Sequence, residues 1–114
     1  MKTQTLNQNS DFRRLYYKGR SLSSPELVTY VLKNRMGKTR FGITVSKKIG
    51  NAVIRNRARR VIAAAFRTQA EKLESGYDIC FVARTKTPLC KSQRIEAIME
   101  KQLFSLTGKG SASR

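Results

Sequence analysis

An amphipathic stripe between residues 54 and 73 is the feature of this sequence that most constrains its fold. Apolar side chains recur there at intervals of three, four and one residues, the spacing of one face of an α-helix. Only Gln69 interrupts the apolar character of this face, which comprises Ile54, Ala58, Val61, Ile62, Ala65, Phe66, Gln69 and Leu73. The stripe predicts a long helix whose inner face other elements of the chain must cover.

Extended segments on both sides of this helix predict a small β-sheet. Residues 27–32 are rich in Val, Thr and Tyr, and residues 34–39 contain Gly37 and predict a hairpin turn to a return strand over 40–46. One face of that return strand is apolar and the other is small and polar, which suits a sheet that covers a core and leaves a cleft. The uninterrupted apolar run in residues 78–84 indicates a strand covered on both faces.

Shorter helices are predicted near both ends of the chain. The first begins near Asp11, capped by Asn9 or Ser10, and ends at Gly19, and the last begins at about Ser92. The order helix, strand, strand, helix, strand, helix predicts an α/β (α+β) sandwich with a small mixed sheet. The strand, long helix and strand between residues 40 and 84 form a candidate βαβ crossover, which general statistics make right-handed.

The length of 114 residues predicts a single domain over residues 1–114, with flexible ends at 1–8 and 108–114. No signal peptide or apolar run long enough for a membrane span is expected, so we predict a cytoplasmic protein without a membrane partner. Cys80 lies in an apolar run and is expected to be a small core residue, and the two cysteines have no metal spacing.

Positive charge dominates the composition. Twenty-four Lys and Arg residues stand against seven Asp and Glu, a formal net charge of +17 at pH 7. No acidic residue occurs between Glu26 and Glu71, although eleven basic residues do. A solvated helix face normally mixes both signs of charge, so this distribution predicts a polyanionic partner rather than a solubility device.

The densest basic segment, residues 47–60, covers the loop before the long helix and its first turns. Gly50 permits a positive φ or a close backbone approach, and Asn51 can cap the helix or contact RNA. An arginine side chain can contact two phosphate oxygens and stack on bases. On a helix the arginines form two flanks, Arg55 with Arg59 and Arg57 with Arg60.

The string FGITVSKKIGNAVIRNRARR at residues 41–60, which contains an Arg-Asn-Arg motif at 55–57, resembles the signature of the bacterial ribonuclease P protein component. The resemblance extends to the helix start at Asp11 and Phe12, the strand with Tyr30, and the strand over 78–84, and so to nearly the whole chain. A bare Arg-Asn-Arg triplet is a weak signal, whereas twenty residues in a strand–loop–helix context are specific.

The resemblance implies a fold with an unusual left-handed βαβ crossover and a subunit of the endoribonuclease that removes the 5′ leader from precursor tRNA. In that family the catalytic RNA performs the reaction with bound Mg²⁺, one protein binds one RNA, and the protein raises substrate affinity and lowers the Mg²⁺ requirement. No catalytic residue and no metal site is therefore expected on the polypeptide. The residues implied to bind the catalytic RNA are Lys47, Lys48, Asn51, Arg55, Asn56, Arg57 and Arg60.

The resemblance further implies a cleft for the single-stranded leader, formed by Phe12, Tyr16, Tyr30, Thr44 and Arg59. The sequence departs from the family at Ala63, where relatives often carry a basic residue, and Tyr16 stands where Phe also occurs. Spacing alone leaves Phe12 and Tyr16 open between core packing and base stacking, and it leaves Tyr30 open between a plain strand position and a stacking platform.

Three other functions share part of this pattern. A structural RNA-binding protein, such as a ribosomal component, would have the same charge without a leader cleft. A stand-alone nuclease would need paired acid–base groups, whereas the chain has no histidine and its carboxylates are scattered. A DNA-binding helix-turn-helix is disfavoured because only one basic helix is predicted and strands surround it.

Overall fold

A five-stranded mixed sheet separates one helix on its first face from two helices on its second. The structure is a computed structural model that describes residues 3–6, 8–73 and 76–107. The strands lie in the order β1-β4-β5-β3-β2. In chain order the elements are β1 (Thr3–Thr5), α1 (Asn9–Lys18), β2 (Arg20–Ser23), β3 (Leu27–Lys33), β4 (Thr39–Thr44), α2 (Ala52–Ala70), β5 (Tyr77–Ala83) and α3 (Ser92–Thr107), with 3-10 turns at Lys47–Ile49 and Thr87–Leu89.

The β4–α2–β5 unit confirms the predicted βαβ crossover, because β4 and β5 pair in parallel, and helices packed on a mixed sheet confirm the predicted sandwich. The predicted hairpin is wrong. β5 lies between β3 and β4, antiparallel to β3, so the turn at residues 34–39 reverses the chain without pairing the strands it joins. β5 takes the central position because both of its faces are apolar, and Ile79, Cys80 and Phe81 are fully buried.

Both edge strands were missed by the sequence analysis. Residues 1–8 were expected to be flexible, but β1 pairs in parallel with β4, Leu6 N–H donates to Phe41 O at 2.7 Å, and Leu6 is buried. The edge of β4 supplies the hydrogen-bonding groups that order this segment. β2 pairs with β3 although all four of its residues are exposed, so it has no apolar alternation to detect. Residues 108–114 lie outside the described residues.

The main core lies between the sheet and the helices α2 and α3. Phe66 of α2 joins two strands, with ring centroids 4.6 Å from Phe41 and 5.3 Å from Phe81. Most of the predicted α2 stripe is buried here, but Ile54 is 38% exposed and packs over Gly50 instead. Each fully buried large side chain contributes about 1.5–3 kcal/mol, so this cluster holds α2 against the sheet.

The helix α1 crosses the opposite face of the sheet. Leu15 is fully buried beside Leu6 and Cys80, and the ring of Phe12 lies directly over Gly42, where a Cβ atom would meet Phe12 Cζ at 2.6 Å. The absence of a side chain at Gly42 therefore lets α1 approach the sheet. The predicted side-chain cap is wrong: the helix begins at Asn9 itself, after Gln8, and no side chain caps it.

Candidate nucleic-acid interface

A network of charged side chains fixes α1 over the sheet. Arg40 of β4 donates to both carboxylate oxygens of Asp78, at 2.9 and 2.7 Å, and reaches Asp11 of α1 at 3.4 Å. Asn34 donates to Asp78 Oδ1 at 2.7 Å. Burial raises the pKa of Asp78, but the hydrogen bonds from Arg40 and Asn34 and the charge of Arg40 outweigh it and hold that pKa below its usual value.

Three aromatic rings and two small polar side chains meet beside this network. The Tyr16 hydroxyl lies 2.9 Å from Thr44 Oγ1 and 3.5 Å from Cys80 Sγ. The ring of Tyr16 contacts Tyr30 edge-to-face at a centroid distance of 4.9 Å, and Phe12 is 6.4 Å away. Desolvation raises the pKa of Tyr16 to about 12, so its hydroxyl is protonated at neutral pH and stays a hydrogen-bonding group.

The rings of Phe12 and Tyr16 border an open cleft of about 650 Å³, and Tyr30 contacts the ring of Tyr16. Tyr16 is 40% exposed, whereas Phe12 and Tyr30 are half-buried and pack against the cluster of Leu6, Leu15 and Cys80. Phe12 is therefore both a core residue and part of the cleft, and Tyr16 is its exposed aromatic surface. The cleft is lined by Asn9, Phe12, Arg13, Tyr16, Ile43 and Thr44.

The loop before α2 has the geometry that its sequence predicts. Gly50 has φ of 151°, and the predicted Asn51 cap is confirmed, since Asn51 Oδ1 accepts the backbone N–H of Ile54 at 3.0 Å. A capped helix start of this kind contributes about 1 kcal/mol to stability. The cap fixes the direction in which the first turns of α2 present their basic side chains.

The basic side chains at this end of α2 have no acidic partners in the described part of the chain. Arg57 Nε donates to Pro88 O at 2.7 Å, and Arg59 donates to Asn56 Oδ1 at 3.4 Å. Within residues 3–6, 8–73 and 76–107, the ion pairs are those of Arg40, Lys72 and Arg94, so residues 47–60 contribute none. Lys47, Lys48, Asn51, Asn56, Arg57, Arg59 and Arg60 are exposed, and Arg55 is half-buried.

Two features of this surface were not anticipated. Lys91, beside the start of α3, joins Arg57 and Arg60 in lining a groove of about 390 Å³ between the two helices. The Nε atom of Arg55 is buried with no hydrogen-bond partner among the described residues. The tertiary proximity of α2 and α3, rather than any spacing in the sequence, adds Lys91 to the basic surface.

Of the five predicted leader residues, the structure brings four together. Phe12, Tyr16, Tyr30 and Thr44 share the α1 face of the sheet. Arg59 is on α2, which packs on the other face, and in the part of the chain that the structure describes the one hydrogen bond of its side chain is to Asn56. Arg13, which the sequence analysis did not include, lines the cleft instead.

Two further findings concern metal sites and membrane spans. Among the residues that the structure describes, no three His, Cys, Asp or Glu side chains lie close enough to hold a metal ion. None of the helices described is both long enough and apolar enough to cross a membrane.

Comparison with known proteins identifies the family. A family model described as Ribonuclease P matches residues 1–107. The ribonuclease P protein component of Clostridioides difficile strain 630 is 47% identical over 87 residues, which cover 75% of this chain and 76% of that protein. That of Alkaliphilus metalliredigens strain QYMF is 39% identical over 104 residues, 91% of this chain and 90% of that protein.

Solved structures agree with the sequence relatives. The RNase P protein of Staphylococcus aureus has a TM-score of 0.78 at 34% identity and covers 90% of this chain and 94% of its own. The RNase P protein of Thermotoga maritima has a TM-score of 0.73 at 27% identity with the same two coverages. Sequence and fold together show that this chain belongs to the ribonuclease P protein component family.

Proposed function

We propose that this chain is the protein subunit of the ribonucleoprotein endoribonuclease that removes the 5′ leader from precursor tRNA. The observation that carries the proposal is the coexistence of two surfaces, an aromatic cleft on one face of the sheet and an unpaired basic helix end at α2. The family membership supplies the reaction. A protein that binds both the catalytic RNA and precursor tRNA needs two such surfaces. We place this assembly in the cytoplasm.

The basic end of α2 is the proposed contact with the catalytic RNA. Its side chains form no ion pair with the acidic residues that the structure describes, and the Asn51 cap and the core stripe of α2 hold them on a rigid element. Neutralising RNA phosphates releases condensed counterions, which drives association at moderate salt. The residues assigned to this contact are Lys47, Lys48, Asn51, Arg55, Asn56, Arg57 and Arg60.

The aromatic cleft is the proposed contact with the leader. Tyr16 exposes its ring, and Phe12 and Tyr30 support it. An unpaired base of any identity can therefore stack on Tyr16. Such stacking contributes about 1–3 kcal/mol per base. The Tyr16 and Thr44 hydroxyls, 2.9 Å apart, form a polar spot beside the rings. The role of Arg59 in leader binding rests on the family resemblance.

We assign the chemistry to the RNA subunit and its bound Mg²⁺, with one protein bound to each RNA. Mg²⁺ prefers several oxygen ligands, and four of the seven acidic side chains of this chain, Asp11, Asp78, Glu26 and Glu100, are engaged in ion pairs. The protein screens repulsion between two polyanions and holds the leader. Screening raises substrate affinity and lowers the Mg²⁺ requirement, and the leader contact favours precursor over mature tRNA.

Binding of precursor tRNA with and without its leader, measured on the reconstituted holoenzyme, tests the proposal. We expect the leader to increase affinity and Tyr30→Ala to remove about fivefold or more of that increase, because the Tyr16 ring loses its edge-to-face support and holds a stacked base less well. Equal affinity for the two substrates would contradict the leader cleft and favour a structural RNA-binding protein. Specific cleavage by the protein without the RNA subunit would instead indicate a stand-alone nuclease.

A further inference from the structure

We propose that the outer face of α1 binds single-stranded RNA that continues out of the cleft, with Tyr17 as a stacking platform and Arg13, Arg14 and Lys18 as phosphate contacts. The proposal rests on the proposed function, since it extends the leader path beyond the cleft. None of these four residues belongs to the motif or to the residues predicted to line the cleft, and each is exposed.

Tyr17 is the most exposed large aromatic side chain in the described part of the chain, at 88%. Residues 3–6, 8–73 and 76–107 provide no hydrogen bond for its hydroxyl and no contact for its ring. A single exposed aromatic ring is common on soluble proteins and by itself indicates nothing. The surroundings of Tyr17 distinguish it from such a ring.

Basic side chains flank this ring on the same helix. Arg13 lies one turn before Tyr17, and Arg14 lies one turn before Lys18, so the four residues share the outer surface of α1. The helix carries one acidic residue, Asp11, and that carboxylate is directed to Arg40 in the network over the sheet. No ion pair among the described residues involves Arg13, Arg14 or Lys18. A ring between cations that form no ion pair in the described chain matches a base between phosphates.

This surface is continuous with the cleft. Arg13, Arg14, Tyr16, Tyr17 and Lys18 line a shallow depression of about 720 Å³, and two of them, Arg13 and Tyr16, also line the cleft. A strand stacked on Tyr16 therefore passes Arg13 before it reaches Tyr17. The shared wall favours one RNA running through both depressions over two unrelated ligands.

Charge decides which macromolecule fits. A protein partner docking through apolar contact needs a contiguous apolar patch, whereas here one ring is surrounded by three cations. A polyanion with planar bases satisfies both the charge and the ring. The expected occupant is the leader segment farther from the cleavage site than the nucleotides held in the cleft.

A series of precursor tRNAs with leaders lengthened one nucleotide at a time tests this path. With the reconstituted holoenzyme, Tyr17→Ala should bind substrates with the shortest leaders like the wild type and lose about fivefold in affinity once the leader reaches the outer face of α1. Tyr17→Phe, which keeps the ring, should resemble the wild type throughout the series. Thermal unfolding of both variants checks that the exposed position leaves the fold unchanged.

Tyr30→Ala separates this proposal from the function on which it rests. If leader binding is correct but the path is wrong, Tyr30→Ala weakens binding and Tyr17→Ala matches the wild type at every length. If leader binding itself is wrong, both variants bind precursor tRNA of every leader length with the same affinity as mature tRNA. A Tyr17→Ala loss that is equal for mature tRNA and for every precursor would overturn the path and indicate a contact with the catalytic RNA.

A photocrosslink provides an independent readout. A 4-thiouridine placed in the distal part of the leader should crosslink to the peptide that contains Tyr17, and one placed near the cleavage site should not. Crosslinking of the distal position to α2 alone would overturn the proposal.

Discussion

Arginine has opposite roles in two regions of this molecule. Arg40 is largely buried and forms a bidentate pair with Asp78 and a longer contact with Asp11. The arginines in the first turns of α2 have no carboxylate partner in the described chain, and Arg57, Arg59 and Arg60 are exposed. The same side chain therefore holds elements together in one region and presents charge in the other.

The position of the few acidic residues determines this difference. Asp11 and Asp78 lie on elements that the fold brings to Arg40, whereas the stretch from Leu27 to Ala70 contains no acid at all. A basic residue is structural where the fold supplies an acid and available for RNA where it does not. The contrast can be tested by removing a partner in the first region and a charge in the second.

The largest expected effect is on stability, from Asp78→Asn. The substitution removes the negative charge that faces the largely buried Arg40 guanidinium and leaves Asp11, at 3.4 Å, as its one carboxylate among the described residues, and breaking a buried pair in this way costs about 3 kcal/mol. Urea denaturation should show the loss in the free energy of unfolding. A loss below about 1 kcal/mol would mean that the Arg40–Asp78 pair contributes no more to stability than an ordinary surface ion pair.

The pH dependence gives the same variant a second signature. Because the pKa of Asp78 is lowered in the folded protein, its contribution is present above its unfolded pKa and declines as pH falls below about 4. The difference in stability between the wild type and Asp78→Asn should therefore be constant near neutral pH and shrink in acid. Glu100→Gln, in an exposed pair with Lys72, is the matched control and should cost at most about 1 kcal/mol.

The next effect is on binding to the RNA subunit. Arg57→Ala should weaken the affinity about tenfold and reduce the slope of log affinity against log salt concentration by about 1, because one phosphate contact is lost. Filter binding over a salt series measures both quantities. Since Arg57 also donates to Pro88, a small stability loss should accompany Arg57→Ala, but not Arg60→Ala.

Arg94→Ala controls for net charge in that experiment. It removes the same charge from a residue that is paired with Glu26 at 3.2 Å. Its salt slope should stay close to that of the wild type. If Arg94→Ala and Arg57→Ala behave alike, total charge rather than the unpaired helix end governs RNA binding, and the contrast between the two regions fails.

The sequence predicted the elements whose patterns are local. The α2 stripe, the positive φ at Gly50 and the Asn51 cap each depend on residues close together in the chain, and the βαβ unit follows from the order of a strand, a helix and a strand. The pairing of β3 with β5 instead of β4 was not predictable in this way, because alternation identifies a strand without naming its neighbour. β1 and β2 lack an apolar pattern and are ordered by the edges they pair with.

The same limit applies to the candidate site. The family resemblance named Phe12, Tyr16, Tyr30 and Thr44, and the structure shows that they meet. It could not name Lys91 or the depression beside Tyr17, because each depends on elements packed side by side. Nor could it assign Arg40 to the interior, since Asp78 lies 38 residues away in the sequence.

The smallest expected effect concerns Tyr16, which combines both roles in one side chain. Its hydroxyl is paired internally with Thr44, whereas its ring is 40% exposed to the cleft. Tyr16→Phe should lower the free energy of unfolding by about 1 kcal/mol or less and leave the affinity for precursor tRNA unchanged, because the stacking ring is retained. Tyr16→Ala should instead reduce that affinity severalfold. If Tyr16→Phe weakens leader binding as much as Tyr16→Ala does, the hydroxyl rather than the ring contacts the leader. A group that is hydrogen-bonded within the protein would then also bind RNA, and the contrast between the two regions would not extend to the cleft.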